Sequence, residues 1–178
     1  ITTYNLMLLN GTEMTLKSTR EKFGLKTHFR IIPRDFGKLS DGTISAEIEE
    51  IVTSSNSMTF DEYVQGRTYH LLISIFWNNI IYSPFFKYLQ NKNISPINFF
   101  TYIKDNYKQG PKSFVNFVDS FVKDTKNELW DSQENLLKYV QKEENYQKLI
   151  EGKLGHNLIQ TYNAKSMHLI PEWNDYFY

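Results

Sequence analysis

Residues 6–14 read LMLLNGTEM, and the fold turns on how that stretch is taken. Leu6 to Leu9 are apolar without interruption, and the run stops at Asn10-Gly11, a turn dipeptide, just before Thr12 and Glu13. Apolarity on both faces suits a central strand of a parallel sheet, covered above and below, better than a half-exposed antiparallel strand. Ile1–Leu9 is therefore expected to be a strand. That expectation raises a question, since no segment in this sequence precedes the strand to lie beside it.

Working outward, a short helix is expected from about Thr15 to Phe23, closed by Gly24 as a left-handed cap. Leu25–Ile32 reads as a second extended segment ended by Pro33. Arg34–Thr43 reads as a loop whose Asp41-Gly42 pair signals a hairpin. Ile44–Thr53 is a third strand candidate: Ile44, Ala46 and Ile48 alternate with Ser45, Glu47 and Glu49, and the phase breaks at Glu50-Ile51. After Ser57 the pattern turns helical. Thr59 and Glu62 form a capping box opening a long helix over about Phe60–Tyr82. Ser83-Pro84 and Ser95-Pro96 each restart a helix with a serine cap and proline at the first turn. Phe114, Val115, Phe117, Val118, Phe121 and Val122 make one apolar helical face. Asp131 and Glu134 suggest another capping box, and a last helix is expected over about Leu154–Ala164, before an aromatic tail. The fold class is mainly α: a helical bundle over 57–178 preceded by a small α/β portion of one to three strands over 1–56.

Composition narrows the chemistry. The chain has 178 residues, 20 basic and 20 acidic, for zero net charge. A protein that binds nucleic acid through bulk charge carries a basic excess, so no nucleic-acid partner is expected. The chain has no cysteine, so disulfides, thiolate catalysis and iron–sulfur ligation by cysteine lie outside it. No apolar run reaches the roughly 18–20 residues of a bilayer span. Residues 71–82, LLISIFWNNIIY, come closest and are interrupted by Asn78-Asn79, so no membrane partner is expected. With no secretory leader in view, the expected location is cytoplasmic.

Few side chains cluster as a site. His28, His70, His156 and His168 have no metal-type spacing, and a lone imidazole such as His70 in an apolar helix is ordinarily part of the core. Among Glu47, Glu49 and Glu50, the first two suit a solvated strand face, leaving Glu50 as the acid of interest. Arg30 and Arg34 flank Pro33, and guanidinium forks suit carboxylates or phosphates. Nucleotide-binding glycine motifs and the serine-hydrolase elbow are missing.

The opening residues do resemble a known family. ITTYNLMLLNGTEM is similar to the last barrel strand of radical S-adenosylmethionine enzymes, in particular the class with an N-terminal cobalamin-binding domain. TREKFGLKTHFRIIPRDFGKL resembles the segment that follows, and AEIEEIVTSSNSMTFDEYVQGR resembles a downstream glutamate-rich element ending at Arg67. The likeness spans about residues 1–67. Asn10 stands where the family usually has proline, and the C-x-x-x-C-x-x-C cluster motif is missing. The resemblance thus implies a C-terminal fragment of a larger α/β barrel protein, an iron–sulfur oxidoreductase or methyltransferase. That parent uses a 4Fe-4S cluster, S-adenosylmethionine and, in some members, cobalamin; this chain alone is not catalytic. It implies that Leu8, Leu9, Asn10, Gly11, Thr12 and Glu13 face the cofactor at the barrel mouth, with Arg30, Arg34, Glu50 and Arg67 on the substrate side.

The implied partner is the remainder of the parent chain, with a homodimer expected in isolation. Two other readings stand beside this one. The first is a self-contained helical module that binds a protein through exposed aromatics. The second is a small cofactor-free enzyme using Glu50 and Arg30.

Overall fold

The computed structural model describes residue 1 and residues 3–177. The chain is mainly α with a small N-terminal α/β portion. In order the elements are α1 (Lys17–Phe23), β1 (Lys26–Lys38), β2 (Ile44–Ser54), α2 (Phe60–Leu72), α3 (Ser83–Asn91), α4 (Pro96–Asn106), α5 (Lys112–Asn127), α6 (Gln133–Val140), α7 (Glu143–Ile150), α8 (Leu158–Ser166) and α9 (Ile170–Phe177). By packing they sort into two compact units: a sheet unit, Tyr4–Tyr63 with Lys126–Asn157, and a helical unit, Ile1–Thr3 with Val64–Thr125 and Leu158–Tyr178.

In the sheet unit, β1 and β2 form an antiparallel hairpin. Its turn is the expected Asp-Gly one: Gly42 has φ 86, and Asp41 Oδ1 accepts the Thr43 N–H at 2.9 Å. Pro33 does not end β1. The strand runs through it to Lys38, and the register slips between Ile31 and Phe36, so that residues 32–35 on β1 stand against Glu47 alone on β2. A bulge is where a residue without an N–H fits a ladder, and Arg34 takes a left-handed φ of 73 within it.

The opening stretch is not the central parallel strand that its apolarity suggests. It makes one antiparallel bridge, Met7 to Ile51, along the outer edge of β2, with Leu8 N–H donating to Glu50 O at 2.8 Å and Val52 N–H to Leu6 O at 2.9 Å. Leu8 alone is buried; Leu6, Met7 and Leu9 are 51%, 42% and 60% exposed. The other edge, on β1, is met by Trp130: Phe29 and Trp130 exchange two backbone hydrogen bonds of 2.8 Å. The apolar face of the hairpin packs Ile31, Ile44 and Ala46 against Leu136, Val140 and Leu149. The cap of α6 is Ser132, which accepts the Asn135 N–H, rather than Asp131, whose carboxylate lies 3.2 Å from His28 Nε2. A further short helix, α7, follows where none is expected from the sequence.

In the helical unit the core is aromatic. Phe76, Phe114 and Phe121 are fully buried, and Trp173 packs edge-on against Phe114 and Phe117 with ring centroids 5.0 Å apart. The Trp173 indole N–H donates to Ser113 Oγ at 3.2 Å, so the buried ring leaves no orphan donor. The long helix expected to Tyr82 changes pitch at Leu72: Ile73–Trp77 is a π turn, with Asn78 N–H reaching back to Ile73 O at 3.0 Å. The Asn163 amide fills the widened turn, donating to Ser74 O at 3.0 Å and Ser74 Oγ at 2.6 Å. The aromatic tail folds as α9.

Candidate functional site

The stretch from Leu8 to Thr15 is the best-defined element among the residues singled out from the sequence. Thr12 N–H and Oγ1 both donate to Leu9 O, at 3.1 and 2.7 Å. Thr15 repeats the motif one turn on, its N–H and Oγ1 donating to Thr12 O at 3.1 and 2.7 Å. Gly11 adopts φ 83, which an L side chain rarely tolerates, and a Cβ there would meet nothing within 4 Å. Leu9, Asn10, Gly11, Thr12 and Glu13 are all exposed. The backbone of the turn is tied down while its side chains face solvent.

Glu50 lies beside this turn. Its carboxylate accepts a bidentate pair from Arg20, at 2.6 and 2.8 Å, and a third hydrogen bond from Thr27 Oγ1 at 2.6 Å. These bonds, the Arg20 fork first, hold the Glu50 carboxyl below its ordinary range against the opposing effect of burial. Arg20 is fixed further by its Nε–H, which donates to Thr15 O at 3.2 Å.

Arg30 sits in a second cluster. It is ion-paired with Glu49, and its Nη1 lies 3.0 Å from Glu128. Burial works against the guanidinium charge, yet Glu128 and Glu49 overcome it and raise the Arg30 pKa. Glu49, expected on a solvated face, is 9% exposed. Arg34 is exposed at the bulge. Arg67 lies on α2 in the helical unit, 7% exposed. One turn on, burial first and the Arg67 charge second depress the His70 pKa, so this histidine is neutral near pH 7. Within the sheet unit, then, the structure brings together the turn and Glu50, and separately Arg30 with two carboxylates.

The sequence reading missed Arg20, Thr27, Glu49 and Glu128. The signal for Thr27 and Glu49 was the hairpin itself, but counting from Asp41-Gly42 without the bulge puts Glu49 opposite Pro33 and hides the true pairs.

Among the described residues no three His, Asp or Glu side chains gather as metal ligands, and no helix is long and apolar enough to cross a membrane. The helical unit has a cavity of about 270 Å³ lined by Phe99, Tyr102, Ile103, Asn106, Tyr107, Phe114 and Tyr176; none of the sequence-derived candidates lines it. No family model matches this chain, and a search of the curated proteins finds no match either.

Proposed function

We propose that this chain is the C-terminal, substrate-side part of a radical S-adenosylmethionine enzyme of the cobalamin-binding-domain type. The observation that carries the reading is the half-paired opening segment. Residues 6–8 bond to β2 along one edge, while Leu6, Met7 and Leu9 present apolar side chains to solvent and the segment ends in a rigid exposed turn. Proteins avoid leaving an apolar strand edge open. A preceding barrel strand laid along Met7 would complete the sheet, with the hairpin extending it antiparallel on the other side.

In this reading the turn Leu8–Glu13 lies at the barrel mouth and contacts the cofactor's nucleoside or the substrate. The helical part of the chain helps select substrate. With no cysteine in the sequence, the residues present do not fit a 4Fe-4S cluster, whose ligands belong elsewhere in the parent; cobalamin, where used, is held there too. What this chain contributes is binding, orientation and exclusion of water.

The test is the parent protein. Its coding sequence is expected to carry C-x-x-x-C-x-x-C in the same frame upstream of Ile1. The purified protein, reconstituted anaerobically with iron and sulfide, is expected to cleave S-adenosylmethionine to 5′-deoxyadenosine when reduced. A reading frame without the spaced cysteines overturns the proposal. A second reading, a helical interaction module, is favoured by Ile80, Ile97 and Tyr102 of the helical unit, which are 86%, 57% and 61% exposed. A parent that lacks the cysteines but captures a protein through this unit would support it.

A further inference from the structure

We infer that Arg20 and Glu50 are a positioning pair that sets the geometry of the turn at residues 9–13 for its ligand, the nucleoside of a sulfonium cofactor. This rests on the function proposed above. Both ends of the turn return to one residue. At the near end, the Glu50 backbone carbonyl accepts the Leu8 N–H at 2.8 Å. At the far end, the Glu50 carboxylate holds the Arg20 fork, and Arg20 Nε–H holds Thr15 O. Thr27 Oγ1 donates to the same carboxylate at 2.6 Å, so the pair is fixed from α1, β1 and β2 together.

Between those anchors Thr12 and Thr15 bond the turn internally, so its shape rests on these local bonds together with the anchors at its two ends. Its tip, Asn10 to Glu13, is exposed, and Gly11 leaves its backbone open to close approach. A surface held in its binding geometry before the ligand arrives loses little entropy on binding. Ordering a residue costs conformational entropy, so a loosened turn binds more weakly even though no contacting group has changed. Arg20 and Glu50 need not touch the ligand; they act through the turn.

The experiment uses the full-length protein and two variants, Arg20→Gln, which removes the fork, and Arg20→Lys, which keeps the charge without bidentate geometry. The dissociation constant for S-adenosylmethionine is measured by calorimetry, and hydrogen exchange is followed over residues 8–16. Arg20→Gln is expected to weaken binding about tenfold with faster exchange confined to 8–16, and Arg20→Lys to do the same less strongly. Faster exchange over 8–16 with binding within about twofold of wild type overturns the inference while leaving the proposed function intact. If Arg20→Gln fails to fold, Arg20→Lys decides alone by the same criterion. Wild-type protein that does not bind S-adenosylmethionine at all sinks the proposed function, and this inference with it.

Discussion

Glu50 is one-fifth exposed or less, and its carboxylate accepts three hydrogen bonds inside the sheet unit: the two of the Arg20 fork and one from Thr27. The folded state therefore holds it ionised at lower pH than the unfolded chain does. A depressed carboxylate contributes stability that is present above its unfolded pKa and is lost as pH falls through the folded one. Urea denaturation of the chain is thus expected to show stability falling below the ordinary glutamate value of 4.5. Glu50→Gln should cost about 1–3 kcal/mol at neutral pH and flatten that acid limb; an unchanged limb in the variant would refute the assignment. Gly24 offers a second single-residue test. It caps α1 at φ 60, and an added Cβ would lie 2.0 Å from Asn56 Oδ1. Asn56 cannot easily move, because its side chain and backbone donate to Lys22 O and Phe23 O. Gly152 has a similar φ of 67 with nothing within 4 Å. Gly152→Ala should cost about 1 kcal/mol, and Gly24→Ala clearly more, by thermal denaturation of the two variants side by side.

At the scale of elements, the start signals were the most legible part of the sequence. The Thr59–Glu62 box is formed reciprocally, with Thr59 N–H on Glu62 Oε2 at 2.7 Å and Glu62 N–H on Thr59 Oγ1 at 3.2 Å. Thr59→Ala should lower stability by about 1 kcal/mol, measured by chemical denaturation. Ser95 likewise caps α4 as expected, through the Ile97 N–H, whereas Ser83 is the first residue of α3 rather than its cap, which is Tyr82 with no side-chain bond. Asp131 and Ser132 are both good caps, and local pattern could not separate them; the choice is made by tertiary context, which sends Asp131 toward His28. Pro33 misled for a similar reason. Proline is costly where a ladder needs its N–H, but a bulge removes that need, and no local rule announces a bulge. The same slip hid the Arg30–Glu49 pairing. The turn at 9–13 was legible from Asn10-Gly11, whereas its anchor in Arg20 was not, because the bond crosses 30 residues of sequence.

For the whole molecule, zero formal charge and a pI near 7.1 leave little repulsion between copies at neutral pH. An apolar edge open at Leu6, Met7 and Leu9 then favours pairing with a second copy. Sedimentation of this chain at neutral pH is expected to show dimers, and Met7→Lys with Leu9→Lys to return it to monomer; a monomeric wild type would count against the edge. The return of residues 126–157 to the sheet unit was hidden from the sequence, since that stretch falls within the helical part expected over 57–178 yet packs on the hairpin. Periodicity tells which face of a helix is greasy, not which neighbour receives it. One last consequence follows from the π turn at Ile73–Trp77. A wide turn is equivalent to an ordinary α-helix with a single residue inserted. Deleting one residue there would restore regular winding but swing the chain beyond it by about 100°, carrying the Trp77 indole off its present heading. The surplus residue is thus a phase adjuster, and the direction in which the segment after α2 departs is written in its length rather than in its side chains.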